Sequence, residues 1–262
     1  MTDNAGGSCR QRGGGTLTRE AITGQIARAL EPLPYVHAFW EGGSAAFGRS
    51  DDMSDLDLYV DADDDRIGDA LEAVEAALAA LAPIELKYVA PSPASGTYLH
   101  VFYRLEGAGR LLLADVAVIK HSSPEKFLEP EIHGEAIFIF NKGDVVESPP
   151  LDRPRLAEAA AKALAESRVR FDMFAGFVGK EIRRGNHVEA LDIYRRLILG
   201  SLVDALRAKH DPVRYNFGPH YLRYNLPPDV VACLTDLYFV RDPEDLEAKH
   251  ARAEAWFWSL MQ

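Results

Sequence analysis

Apolar residues recur at two different periods along this chain, and the change of period divides it near residue 148. In the first part, Ile22, Ile26 and Leu30 repeat at helical spacing up to Pro32, which predicts an opening helix. Residues 36–41 and 56–60 are short apolar runs and predict two strands. Over residues 63–81, Ile67, Leu71, Val74, Leu78 and Leu81 form an i, i+3/i+4 stripe, with acids near its start that suit the helix dipole. Further strands are predicted at about 84–90, 97–105 and 110–119, the last two joined as a hairpin through Glu106-Gly107-Ala108-Gly109. Residues 136–140 add one more. Helix, strand, helix, then consecutive strands describes an α+β sheet with helices on one side.

The composition changes at Glu147-Ser148-Pro149-Pro150, which is read as a domain boundary. Beyond it Leu156, Ala160, Leu164, Phe171, Phe174, Val178 and Ile182 form one long apolar helical face, and Leu191, Tyr194, Ile198, Leu202 and Leu206 follow after Gly185-Asn186. Two more helices are predicted over 229–240 and 243–260. The last opens on Asp242-Pro243, an N-cap followed by proline at the first helical position. Four helices with short connections suggest a bundle. The organisation predicted is therefore a Gly-rich, polar, flexible tail (1–15), a sheet domain (16–148) and a helical domain (149–262).

Chemistry concentrates in the first domain. Asp55 and Asp57 stand two apart at the start of the 56–60 strand, so their carboxylates share a face while Leu56 and Leu58 point to the core. Such a pair suits a hard dication: Mg²⁺ takes one or two carboxylates plus phosphate oxygens. Ten residues earlier the 36–41 strand ends at Gly42-Gly43-Ser44, a turn of small residues whose amides can approach a phosphate. Asp115 interrupts the apolar run 111–119, where a charge is unfavourable unless it is paired or bound to metal. Glu85 is the rival third carboxylate, but its strand alternates, and a solvent-facing side chain accounts for it.

Strand, Gly-Gly-Ser, about ten residues, then Ser54-Asp55-Leu56-Asp57 on a second strand resembles the core motif of nucleotidyltransferases of the DNA polymerase β superfamily. Length and layout are similar to the antibiotic-type members, which move a nucleoside monophosphate onto a hydroxyl of an aminoglycoside or lincosamide. The resemblance implies a mixed-sheet catalytic domain followed by a helical acceptor-binding domain. It further implies Asp55, Asp57 and Asp115 as catalytic residues and ligands of one or two Mg²⁺ ions. Gly43 and Ser44 would grip the phosphates of a nucleoside triphosphate, ATP being the expected co-substrate, with Arg49 and Ser54 as further nucleotide contacts. Asp115 could also orient or deprotonate the acceptor hydroxyl, although a base from the helical domain is an alternative.

Charge and composition narrow the acceptor. The net charge of −11 is uneven: residues 1–150 hold 24 acids against 12 Lys and Arg, and residues 151–262 hold 16 against 17. An acidic catalytic half disfavours a nucleic-acid acceptor, which needs a basic stripe, and attracts a cationic small molecule. Alternatives are nucleotidylation of a protein, as in minimal toxin–antitoxin relatives that lack such a helical half, and a degenerate non-catalytic scaffold. Segment 214–228, aromatic and basic between helices, is either an acceptor-binding segment or a packed connector. No apolar stretch reaches membrane-spanning length and no signal-peptide pattern opens the chain. Cys9 and Cys233 predict no disulfide, and a cytoplasmic monomer or homodimer is expected.

Overall fold

The computed structural model describes residues 17–91 and 96–262, so the predicted tail and Cys9 lie outside the described residues. Two compact units meet in sequence between Pro150 and Leu151. In the first, helix α1 (Arg19–Leu30), strand β1 (Val36–Glu41), a single turn α2 (Gly43–Ala46), β2 (Leu56–Ala62) and α3 (Ile67–Leu81) come in order. Strands β3 (Ile84–Val89), β4 (Tyr98–Leu105) and β5 (Ala114–Lys120), the short helix α4 (Pro130–His133) and β6 (Ile137–Asn141) follow.

The six strands form one mixed sheet ordered β3-β4-β5-β2-β1-β6. Only β2 and β5 run parallel; the other neighbours are antiparallel. Alternation along the two central strands separates the faces. Leu56, Leu58, Val60, Val116 and Val118 pack with Ile22, Ile26 and Leu30 of α1 and Val74 and Leu78 of α3 in one core. Each such side chain contributes roughly 1.5–3 kcal/mol by leaving water. The opposite face holds a smaller core of Trp40, Ala117, Ile119, Leu128 and Val146, with Tyr59 stacked on Trp40 at 5.6 Å. Asp57 and Asp115 lie on this second face, at one end of the central strands.

Two boundaries in this unit differ from expectation: β5 begins at Ala114 rather than near residue 110, and α3 starts late for a definite reason. Helix α3 begins at Ile67 rather than at residue 63, because the acids before it are used as anchors. The Asp63 amide donates to Tyr35 O at 2.9 Å, and the Asp64 carboxylate accepts from the Ser122 amide at 3.0 Å and from its hydroxyl. Asp69 is left as the acid of the first helical turn.

The second unit is helical: α5 (Arg153–Phe174), α6 (Phe177–Arg183), α7 (His187–Ile193), a π-helical stretch Tyr194–Leu199, α8 (Gly200–His210), the short α9 (Leu222–Asn225), α10 (Pro228–Tyr238) and α11 (Pro243–Leu260). The long apolar face expected over 156–182 is therefore split at Ala175-Gly176, and Phe174 is exposed beside the break. Asp242 caps α11 by accepting from the Asp245 amide at 2.7 Å, and Pro243 opens it. Phe171 and Phe257 stack at 3.9 Å in the core of this unit. The 214–228 connector is anchored by Arg207, whose fully buried guanidinium donates to Gly218 O at 2.7 Å, to His220 O and to Asp211 at 2.9 Å.

Among the described residues, no helix is long and apolar enough to cross a membrane. Cys233 is a free, exposed thiol.

Candidate active site

The parallel pairing of β2 and β5 puts Asp57 directly across from Asp115. Two carboxylates on adjacent central strands repel, and burial removes the water that would screen them. Asp57 is accordingly pushed up to about 7, first by burial and then by Asp55, Asp115 and Glu41; the Ser44 backbone N–H opposes the shift by donating to the carboxylate. Asp55 stands one residue ahead of β2, in a loop rather than in the strand. The sidechain of Arg19 holds this loop by donating to the carbonyls of Ser54 at 2.8 Å and Asp55 at 2.6 Å, and it pairs with Glu41.

Asp115 has its own partner. His100, on β4, meets it with Nε2 2.5 Å from Oδ1. That hydrogen bond, chiefly, raises the His100 pKa above its ordinary value, although burial works against it. The imidazole thereby compensates one of the carboxylates in the group.

Gly43 explains how the turn approaches so closely. Its φ is +53°, and a Cβ at this position would fall 1.6 Å from Asp57 Oδ2. A side chain is excluded twice, by backbone conformation and by the carboxylate. Gly42 is similarly confined: a Cβ there would meet the Tyr59 ring at 2.7 Å, and its amide donates to Asp57 O at 2.9 Å. The helix that follows is only one turn, so its dipole is far weaker than the turn-into-helix reading supposed. One amide of this turn, Ser44 N–H, is already directed at Asp57.

The other predicted contacts have local partners. Ser44 Oγ lies 3.4 Å from Ser50 Oγ. The exposed Arg49 stacks its guanidinium over Phe47 at 4.8 Å. Ser54 donates to Asp51 Oδ1 and accepts from the Asp51 amide, both at 3.0 Å, closing its own loop. Thus Asp55, Asp57, Asp115, Gly43 and Ser44 converge, while Arg49 and Ser54 turn toward the loop between α2 and β2. Glu85 sits on the edge strand β3, more than half exposed, and pairs with Arg104 at 3.0 Å.

No protein-family model matches this chain, and no curated protein matches it. Among solved structures, an aminoglycoside 6-adenyltransferase from Bacillus subtilis is similar over 93% of this chain and 89% of that one, at 12% identity and a TM-score of 0.34.

Sequence reasoning misses three residues of the group, two of which carry no local signal. Arg19 reaches Asp55 from 36 positions away, at the start of a helix. His100 becomes visible only once β4 and β5 are paired, since Phe102 faces Asp115 and His100 lies diagonal to it. Glu41 had a usable signal, an acid closing an apolar strand immediately before Gly42-Gly43. A cleft of about 520 Å³ borders the loop, lined by Arg19, Ser54, Asp51, Arg110 and Leu112 among others; none of the three aspartates lines it.

Proposed function

We propose that this chain transfers a nucleoside monophosphate from a nucleoside triphosphate to a hydroxyl of a small molecule, with aminoglycoside- and lincosamide-type antibiotics as the leading acceptor class. The observation that carries this reading is the position of Asp57: half-buried, opposite Asp115, close to Asp55, and pressed against Gly43 of a Gly-Gly-Ser turn. A carboxyl whose ionised form is disfavoured first by burial and then by neighbouring acids is a site at which a cation relieves both.

The donors fit Mg²⁺, because all three are carboxylate oxygens, the ligand type this ion takes together with phosphate and water oxygens. Asp55, Asp57 and Asp115 would hold one or two such ions, which when bound offset charge on the phosphates and on the leaving pyrophosphate. The remaining work falls to the chain. Gly43 and Ser44 admit the triphosphate by backbone approach, Ser44 adding a hydroxyl. Arg19 fixes the loop that carries Asp55. The acceptor hydroxyl attacks the α-phosphorus in line as the bond to pyrophosphate breaks, and Asp115 takes the hydroxyl proton with His100 holding the carboxylate in place.

The acidic sheet half supports a cationic acceptor over a nucleic acid. ATP is the expected donor. Calorimetric titration of ATP and of GTP, with and without Mg²⁺, tests the nucleotide site, with the Asp55→Asn/Asp57→Asn variant as control. Metal-dependent binding lost in the variant supports the reading. Absence of binding by either nucleotide points instead to a non-catalytic scaffold. Modification of a protein rather than a small molecule would show as a mass increase on a polypeptide in an extract supplied with triphosphate.

A further inference from the structure

At the other end of the same strands, His37, Asp61 and His121 bring one donor atom each to within 4.8 Å of one another. Asp61 is four residues beyond Asp57 on β2, so the two groups are separated by about 13 Å at ordinary strand rise. The nucleotide reading uses none of these three residues. We propose that they form a second metal site, selective for a borderline dication such as Zn²⁺, separate from the aspartate group and independent of its function.

Local structure delivers each donor. The register of β1 on β2 slips between Val36 and Ala38, a bulge at His37. Bulges re-aim a side chain at the cost of a ladder hydrogen bond, and this one turns the ring toward Asp61 and His121. His121 is placed by the end of β5: it follows Lys120, and its amide donates to Ala62 O at 2.8 Å, on the strand that carries Asp61. The two imidazoles lie 4.2 Å apart with their planes tilted by 40°. His121 Nδ1 is 2.6 Å from Asp61 Oδ1, and His37 Nε2 is 2.7 Å from Asp63 Oδ1.

Asp61 is fully buried, and its two oxygens have separate partners. Oδ2 accepts from Lys126, whose ammonium also donates to Lys120 O at 2.7 Å and His121 O at 2.9 Å. Lys126 therefore saturates one oxygen and leaves Oδ1 facing the imidazoles. An aspartate neutralised by lysine alone would account for a buried ion pair, but not for two adjacent histidines each directed at a carboxylate. Two imidazole nitrogens and one carboxylate oxygen, with Asp63 or water as a fourth ligand, make the mixed nitrogen and oxygen set that Zn²⁺ takes in four-coordinate sites. Neighbouring ligands around such an ion stand about 3.3 Å apart at bond lengths near 2.0 Å, so the widest-spaced donors must close by up to about 1.5 Å, and His121 Nδ1 and Asp61 Oδ1, now 2.6 Å apart, must open slightly if that nitrogen is the ligand. His37 and His121 are partly exposed, at 23% and 42%, and have the freedom to do so.

With Asp61 counted, the carboxylates of this segment outnumber its cations by four to three. Asp63, Asp64 and Asp65 follow Asp61, against Lys126, Lys120 and Arg66. Bound metal would fasten β1, β2 and the segment after β5 to one another.

The test uses the full chain, freed of metal by chelator and then titrated with Zn²⁺, and separately with Co²⁺ followed by visible absorption. The proposal predicts one Zn²⁺ per chain, a higher melting temperature, and a Co²⁺ spectrum typical of a four-coordinate nitrogen and oxygen site without a thiolate band. That last feature separates it from binding at Cys9 or Cys233. His37→Ala and His121→Ala should each weaken Zn²⁺ binding at least tenfold, whereas Asp57→Asn should leave it unchanged. Absence of Zn²⁺ binding, or binding that survives both histidine substitutions, overturns the proposal. Should either variant unfold, the Co²⁺ spectrum of the unaltered chain decides: a six-coordinate or thiolate spectrum rejects the site.

Discussion

The backbone of Gly43 lies against the carboxylate of Asp57 with no space between them for even a methyl group. This contact joins the Gly-Gly-Ser turn to the acid it serves, and it links backbone conformation to chemistry through a single missing Cβ. Gly43→Ala would place Cβ on Oδ2 and force a left-handed φ on an alanine. We expect nucleotide binding to fall at least tenfold and stability to drop by about 1–3 kcal/mol. Calorimetric titration with ATP and Mg²⁺, alongside thermal unfolding, checks both.

Asp57→Asn should separate function from stability. Because the native carboxyl titrates near 7 and an unfolded one near 4, the folded state holds its proton more tightly. Stability from this residue is therefore greatest below pH 4, falls as pH rises through about 4 to 7, and stays low above that window. In metal-free protein the amide variant should melt higher than the original at pH 8, by an amount on the order of a few kcal/mol, and the two should converge near pH 4. Thermal unfolding in chelator across that range measures it. Turnover should be abolished throughout.

His250 sets an opposite pH dependence in the helical unit. Its Nε2 is buried with no hydrogen-bond partner among the described residues, and burial holds its pKa below the ordinary histidine value. The unfolded chain then binds the extra proton, so stability is present above about pH 6.5 and is lost as pH falls through the usual histidine range. His250→Gln should flatten this acid-side slope while costing stability at pH 8. Urea unfolding followed between pH 5 and 8 distinguishes the two effects.

Arg207 is the anchor of the connector between α8 and α10. Removing it by Arg207→Met leaves Gly218 O and His220 O without this donor and Asp211 with Arg214 as its remaining cation. A loss of roughly 3 kcal/mol is expected, because breaking a buried charged network leaves polar groups uncompensated. The same variant should expose the 214–228 segment to protease before the rest of the chain unfolds, which limited proteolysis would reveal.

Much of this was legible in the sequence because the sheet and the helices carry strong local signals. The strands expected at 84–90 and 97–105 are Ile84–Val89 and Tyr98–Leu105, since alternation and turn residues bound them on both sides. Asp57 and Asp115 stood out as acids among aliphatic residues. What escaped was non-local. Residues 63–66 look like a helix start until Asp64 is seen bonded to Ser122, 58 positions away. Arg19 and His100 reach the aspartates through strand pairing and helix packing that no spacing along the chain encodes. The break at Ala175-Gly176 was hidden because apolar periodicity continues across it.

The central claim is tested most directly by incubating the protein with ATP, Mg²⁺ and a panel of aminoglycosides and lincosamides, then reading acceptor mass and pyrophosphate together. The account predicts one acceptor heavier by a single nucleoside monophosphate, equimolar pyrophosphate, and neither product with Asp57→Asn. Product formation that survives Asp57→Asn, or no product from any acceptor in a protein that also fails to bind triphosphate, would contradict it.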